Sequence, residues 1–173
     1  PRAADSGGSV SLGCPADAVG GYGAGGGGEA SGAVYVFRTS DGGATYGQVA
    51  KLTASDGDVW DYFGWSVAID GGTIVIGAWG DDDAGSRSGS VYVLLTTDGG
   101  ATYGQVAKLT ASDAAAGDYF GRSVAIDGAT IVIGAYGDDD GGSESGSAYV
   151  FRTTAGGATD AQVAELTADG AAA

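Results

Sequence analysis

Residues 61–93 read DYFGWSVAIDGGTIVIGAWGDDDAGSRSGSVYV, and residues 118–150 read DYFGRSVAIDGATIVIGAYGDDDGGSESGSAYV. Phe63 and Phe120, Gly77 and Gly134, and Tyr92 and Tyr149 are each 57 residues apart, with no insertion or deletion between the copies. Over the longer window 41–93, only ten of 53 positions differ from residues 98–150. A worn third copy precedes them: Ser9-Val10-Ser11-Leu12 aligns with Ser66-Val67-Ala68-Ile69, and Gly32-Ala33-Val34-Tyr35-Val36 with Gly89-Ser90-Val91-Tyr92-Val93. Three periods of 57 span 171 of the 173 residues. A fixed period of this length identifies a repeat architecture, and we bound the units at 1–57, 58–114 and 115–173.

Within a unit the pattern predicts four short strands. In residues 65–69, Val67 and Ile69 alternate with Ser66 and Ala68, the period-two spacing of a half-buried strand. Asp70-Gly71-Gly72 supplies the positive φ angles of a tight hairpin turn. Residues 73–79, TIVIGAW, form a nearly continuous apolar run, as expected of a strand covered on both faces, and Gly77 and Ala78 leave room for a neighbouring backbone. The polar stretch 80–89 is expected to be an exposed loop. Residues 90–96 and 103–110 give strands three and four, with Val106 and Leu109 as expected core positions. No segment has helical spacing, so essentially no helix is expected.

Four antiparallel strands per repeat match one blade of a β-propeller, an architecture of about four to eight blades. The expected fold is all-β: three tandem four-stranded antiparallel sheets that form part of a larger propeller, because three blades cannot close a ring and their end faces need covering. The chain opens on Pro1, contains no methionine and ends on three alanines, which we read as a processed or partial piece of a longer protein.

The 36 glycines recur at fixed places between β-branched runs, which is turn chemistry rather than disorder. A formal net charge of −15 disfavours nucleic acid and anionic lipid as partners. The acids either attract cations or a basic partner, or solubilise the loops. The absence of histidine excludes any mechanism that needs an imidazole within this chain. Cys14 is the one cysteine, so it has no internal disulfide partner, and no zinc-type cluster exists. No apolar run approaches the length of a membrane span.

The pairing of Phe63-Gly64 with Gly77-Ala78-Trp79 resembles the FG-GAP repeat, named for Phe-Gly followed by Gly-Ala-Pro and found in the propeller of integrin α subunits. Phe120-Gly121 with Gly134-Ala135-Tyr136 repeats the likeness, and the first unit carries it faintly, with Ser6-Gly7 in place of Phe-Gly. The resemblance implies a β-propeller, an extracellular or cell-surface location, and adhesion or protein and glycan recognition. Two departures stand out. Trp79 and Tyr136 replace the proline, and Ile69-Asp70-Gly71-Gly72 stands where integrin-type repeats carry their calcium loop.

A hard cation needs six to eight oxygens. The metal candidates are therefore Asp81, Asp83, Asp138 and Asp140, from the runs DDD at 81–83 and 138–140, with calcium as the candidate ion; the first unit has Ala24-Gly25-Gly26 there. The alternative is that these acids are solvated loop charges. Asp56, Asp58 and Asp61 are suggestively spaced, but Asp58 becomes Ala115, against a shared site. Trp60, Tyr62, Phe63, Trp65 and Trp79 form either a carbohydrate platform or core.

No catalytic residues are identified, because catalytic groups occur once in distinct environments whereas the best acids here are repeated. The expected function is a non-enzymatic β-propeller module for extracellular adhesion or protein and glycan recognition. The alternative is a scaffold or accessory subunit of a larger assembly, with further blades or a neighbouring subunit as partner. Near-identity of adjacent units leans toward the scaffold, since recognition faces diversify. The positions that bear on the choice are Trp65/Arg122, Trp79/Tyr136 and Arg87/Glu144, and so few changes leave both readings open, because fold does not fix function.

Overall fold

A computed structural model describes residues 9–12, 16–23, 29–143, 145–154 and 159–167. Cys14, Ser6-Gly7, Ala24-Gly25-Gly26 and Glu144 lie outside the described residues. The first sheet is β1 (Val10–Leu12), β2 (Ala16–Gly21), β3 (Ala33–Arg38) and β4 (Gly47–Leu52). The second is β5 (Ser66–Asp70), β6 (Thr73–Ala78), β7 (Ser90–Leu95) and β8 (Gly104–Leu109), and the third is β9 (Phe120–Asp127), β10 (Thr130–Ala135), β11 (Ser147–Thr153) and β12 (Thr159–Thr167). Each sheet is an antiparallel meander in chain order, with no helix among the described residues. These are three propeller blades. Their first strands pack in succession, β1 on β5 and β5 on β9, as blades converging on a common axis do.

Local chemistry accounts for the strand ends. Asp70 pairs with Thr73 across Gly71-Gly72, and Gly71 takes φ +56°, which glycine adopts without the Cβ penalty. Between β7 and β8 the register slips: Val93 pairs with Ala107 but Leu94 with Gln105. Val106 is thus the extra residue of a β-bulge, and the bulge turns it outward. The expectation that Val106 is core is overturned, while Leu109 is buried as expected. The same slip recurs in the other blades, and Val49 and Val163, the equivalents of Val106, are exposed as well.

Two cores hold the blades together, one in each gap. The first joins Val34, Val36 and Leu52 to Phe63, Ile74, Ile76, Tyr92 and Leu94. The second joins Val75, Val91, Val93 and Leu109 to Phe120, Ile131, Ile133 and Tyr149. Ile74 and Ile76 thus face one core and Val75 the other, which explains the unbroken apolar run of β6. Each such side chain contributes about 1.5–3 kcal/mol when fully buried.

The Phe-Gly pair is the wedge between blades. Tyr62 and Tyr119 adopt φ +57° and +56°, uncommon for a side-chain-bearing residue, and direct the following phenylalanine inward. Phe63 N donates to Ser31 O at 3.0 Å and Phe120 N to Ser88 O at 3.0 Å, so each wedge is hydrogen-bonded to the preceding blade. A Cβ on Gly77 would overlap the carbonyl oxygen of Gly121, and one on Gly20 would overlap that of Gly64. Ser66 Oγ also donates to Gly121 O at 2.7 Å. The glycine of GAP is therefore the socket for the glycine of the next FG.

Candidate functional site

The 80–89 loop departs from its expected exposure at three points: Asp81, Ser88 and Gly89 are buried. The loop curls back so that Gly89 N donates to Asp81 O at 2.9 Å and Asp83 N to Asp81 Oδ1 at 3.2 Å. Ser90 Oγ donates to the same carboxylate at 2.9 Å. The hydroxyl of Tyr92 lies 3.1 Å from Asp81 Oδ2 and 3.0 Å from Asp56 Oδ1, reaching both acids with one donor. Lys108, paired with Tyr92 in the ladder, completes the cluster. Its Nζ lies 2.8 Å from Asp56, 2.9 Å from Asp81 and 2.6 Å from Asp83, and 5.2 Å from the centre of the Tyr92 ring.

An ammonium has three donors, and here three carboxylates take them. Burial opposes the charge on Lys108, but its hydrogen bonds to Asp56, Asp81 and Asp83 outweigh burial and hold its pKa above the usual lysine range. Burial likewise pulls Asp56 upward, and the bonds to Lys108 and Tyr92 reverse the sign, leaving it below the usual carboxylate range. In the second blade the metal candidates Asp81 and Asp83 thus surround a cation that the chain itself supplies.

The third blade rebuilds this cluster one period later. Ser147 Oγ donates to Asp138 Oδ1 at 2.7 Å, the Tyr149 hydroxyl donates to Asp138 Oδ2 at 2.7 Å and lies 3.1 Å from Asp113, and Asp140 N donates to Asp138 Oδ1 at 3.2 Å. The residue opposite Tyr149 is Glu165, not lysine. One carboxylate oxygen from each of Asp113, Asp140 and Glu165 lies within 4.8 Å of the others. Oε1 of Glu165 is buried with no hydrogen-bond partner. Two like charges about 4 Å apart repel by about 1 kcal/mol in water and about 4 kcal/mol near a protein surface. Accordingly Asp140 is raised by the charge of Asp138, and Glu165 by burial and then by Asp113.

Sequence reasoning misses Asp113 and Glu165 for a traceable reason. Asp56 is set aside with Asp58, although Asp56 itself recurs as Asp113. The Lys108-to-Glu165 exchange falls just beyond the window 98–150 over which the copies are compared. Asp58 and Asp61 belong to a turn instead: Asp58 N donates to Asp61 Oδ2 at 2.6 Å. Ala115 N makes the same bond to Asp118, so the backbone does the work and the side chain at 58 is free to change. Burial, reinforced by Asp81, Asp58 and Asp82, pushes Asp61 up to about 6.

The aromatics divide between core and surface. Phe63 is core, whereas Trp60, Tyr62, Trp65 and Trp79 belong to a ridge that crosses all three blades. Tyr22 packs 4.7 Å from Trp65, Tyr62 stacks on Trp79 at 4.7 Å and 6°, Trp79 meets Tyr119 at 5.4 Å, and Tyr119 meets Tyr136 at 6.3 Å. The Arg122 guanidinium lies over Trp65, Trp79 and Tyr136 at 5.5, 5.8 and 5.2 Å. The exchange of Trp65 for Arg122 between copies therefore ties two blades by cation–π contact. At the third blade a groove of about 700 Å³ opens between Arg122, Gly134, Tyr136, Gly146 and Leu166.

Comparisons with known proteins agree with this architecture. No curated protein sequence matches the chain. Among solved structures, Sqt1 of Saccharomyces cerevisiae superposes with a TM-score of 0.58 at 14% identity, over 96% of this chain and 37% of that one, a likeness of fold alone. The chain thus spans well under half of that protein's length. Among the described residues no helix is long and apolar enough to cross a membrane. The family model for the FG-GAP repeat matches residues 46–94 and 103–151, more than half the chain with one Phe-Gly wedge in each segment, and the chain belongs to the FG-GAP repeat family.

Proposed function

We propose that this chain is a non-enzymatic recognition module, extracellular or cell-surface, that engages a protein or glycan partner through the aromatic ridge. The observation that carries the reading is the continuity of that ridge over three blades, with Trp60 and Tyr136 each about half exposed. Aromatic rings offer large contact area at little entropic cost and stack on the apolar faces of sugars and side chains. Trp79 Nε1 is buried without a hydrogen-bond partner, a donor held among the rings. The repeated acids and the absence of histidine supply no nucleophile–base pair, which supports the non-catalytic reading.

All three tryptophans lie on the ridge, so intrinsic fluorescence reports on it directly. Titration with a panel of neutral oligosaccharides and extracellular-matrix proteins is expected to give a saturable emission shift for at least one member. Tyr136→Ala, at an exposed ring, is expected to weaken that binding about tenfold. No shift across the panel, or a shift that Tyr136→Ala leaves intact, overturns the reading.

A scaffold role has its own support in the outer face of the third blade. Gly134 and Gly146 occupy the places where Gly77 and Gly89 receive the next Phe-Gly wedge, yet only atoms of their own blade lie near them. A further repeat, in the same polypeptide or in a neighbour, is the occupant that fits. A chain that stays monomeric at all concentrations and binds no isolated FG-GAP blade speaks against it.

A further inference from the structure

We propose, resting on the recognition role of the ridge, that the cleft between Trp60 and the 80–87 loop of the second blade is a subsite for a neutral sugar, one pyranose ring of a glycan. The cleft has a volume of about 580 Å³, within the roughly 300–1,000 Å³ of ligand sites. Asp58, Trp60, Tyr62, Asp82, Ser86 and Arg87 line it. Two observations point to a ligand. The first is Trp60 itself. It takes φ +71°, a backbone conformation that strains a side-chain-bearing residue, and its ring stays half exposed. The equivalent residue of the third blade is Gly117 at φ +93°, and glycine adopts this conformation freely. Neither backbone preference nor burial accounts for a tryptophan there; contact with something outside the chain does.

The second is the place where the two repeats part. Only ten of 53 positions differ between residues 41–93 and the next copy, yet half of the eight residues lining the cleft do: Asp58, Val59, Trp60 and Arg87 stand against Ala115, Ala116, Gly117 and Glu144. Backbone bonds, not the changing side chains, hold the walls: Trp60 N donates to Glu29 O at 3.1 Å, Gly80 N to Asp61 O at 3.2 Å, and Tyr119 N to Arg87 O at 3.1 Å. The cleft is therefore preformed, and its side chains are free to suit a ligand. Their chemistry fits a pyranose. The Trp60 ring offers a face to the apolar C–H side of a sugar. Asp58 and Asp82 accept from hydroxyls, Arg87 donates, and Ser86 does either. Asp58 Oδ1 already takes the Val59 N–H at 2.7 Å, which steadies that carboxylate. A guanidinium in the lining disfavours a cationic guest, and the net charge of −15 disfavours an acidic sugar, which leaves a neutral one.

The test is calorimetric titration of the full chain with neutral oligosaccharides of glucose, galactose, mannose and N-acetylglucosamine, and with a lysine- and arginine-rich peptide. Saturable binding of at least one sugar is expected, at one site per chain. Trp60→Gly and Asp58→Ala each install the residue that the third blade carries at 117 or 115, so both variants are expected to fold, with unchanged circular dichroism. Each is expected to weaken the sugar about tenfold, the scale of one lost ring contact or one hydrogen bond to a charged group. No saturable sugar binding up to about 10 mM, or preference for the basic peptide over every sugar, overturns the proposal. Sugar binding that either variant leaves intact overturns it too; where Tyr136→Ala still weakens that binding, the ridge stands as a recognition surface and only the cleft falls. If one variant fails to fold, the other decides.

Discussion

The second and third blades are written in almost the same letters and live in different surroundings. SVAID appears at 66–70 and again at 123–127, yet Ala68 is buried and Ala125 is exposed. TIVIGA is β6 in one blade and β10 in the other, and it is buried from Ile74 onward in the first but alternates between buried and half-buried in the second. The strand itself dictates only the pleat and the side-chain period. Coverage of both faces depends on the presence of a further wedge. In the second blade the wedge of Phe120 and Gly121 covers the outer face; in the third no described residue does.

The strongest way to break this comparison is to put a methyl group into each socket. Gly77→Ala drives a Cβ into the backbone oxygen of Gly121, which cannot rotate away, so the second and third blades must part. The loss is expected to be about 3 kcal/mol or more, at the upper end of overpacking costs. Gly134→Ala meets only the side chain of Ser123, which is exposed and can swing clear, and is expected to cost under about 1 kcal/mol. Urea midpoints of the two variants check this. Equal losses would mean that the glycine acts through chain entropy and not as a socket.

The socket is legible in the sequence because it depends on residue type at fixed spacing. Phe63, Gly64 and Gly77 suffice for the blade and the close approach at Gly77, but the alternation of β5 misleads about its faces: Ser66 to Ile69 are all buried, so the strand is covered on both sides and not half-buried. Val106 is misread because a bulge adds one residue to β8, and period-two reasoning assigns the wrong face to the residue it displaces. Asp81 is misread as an exposed loop acid because its burial depends on Ser90, Tyr92 and Lys108, residues 9, 11 and 27 positions away in number and brought together only by the meander. Long-range polar satisfaction has no periodicity, so no window of sequence displays it.

The clusters offer the next test, with opposite signs expected in the two blades. In chelator-treated buffer at neutral pH, Lys108→Met leaves the buried Asp81 carboxylate without its ammonium, with two further acids beside it. A loss of about 2–3 kcal/mol is expected, less than for a wholly buried pair because Asp56 and Asp83 reach solvent. Glu165→Met removes one of four mutually repelling carboxylates and is expected to be neutral or to stabilise by about 1 kcal/mol. Thermal unfolding of both variants under identical conditions checks the signs. If both destabilise alike, residue 165 contributes packing rather than charge.

The smallest effect separates two turns that differ by one acid. Asp61 accepts the bond from Asp58 N and Asp118 the bond from Ala115 N, and burial raises both carboxyls. Asp61 reaches about 6, with the charge of Asp58 among the groups that lift it, a neighbour that Asp118 lacks. Between about pH 4 and 6 the unfolded chain has lost this proton while the folded chain keeps it. Fewer protons on the unfolded state mean that stability falls as pH rises, so the contribution is complete below about pH 4 and gone above the folded value. Asp61→Asn keeps an oxygen for Asp58 N and removes the titration. It is expected to match the parent at pH 3.5 and to exceed it at pH 7 by roughly 1 kcal/mol after allowance for solvent access. Asp118→Asn is expected to gain less. Urea midpoints at the two pH values decide it, and equal gains from both variants would show that burial alone, without the extra acid at 58, sets the two carboxyls.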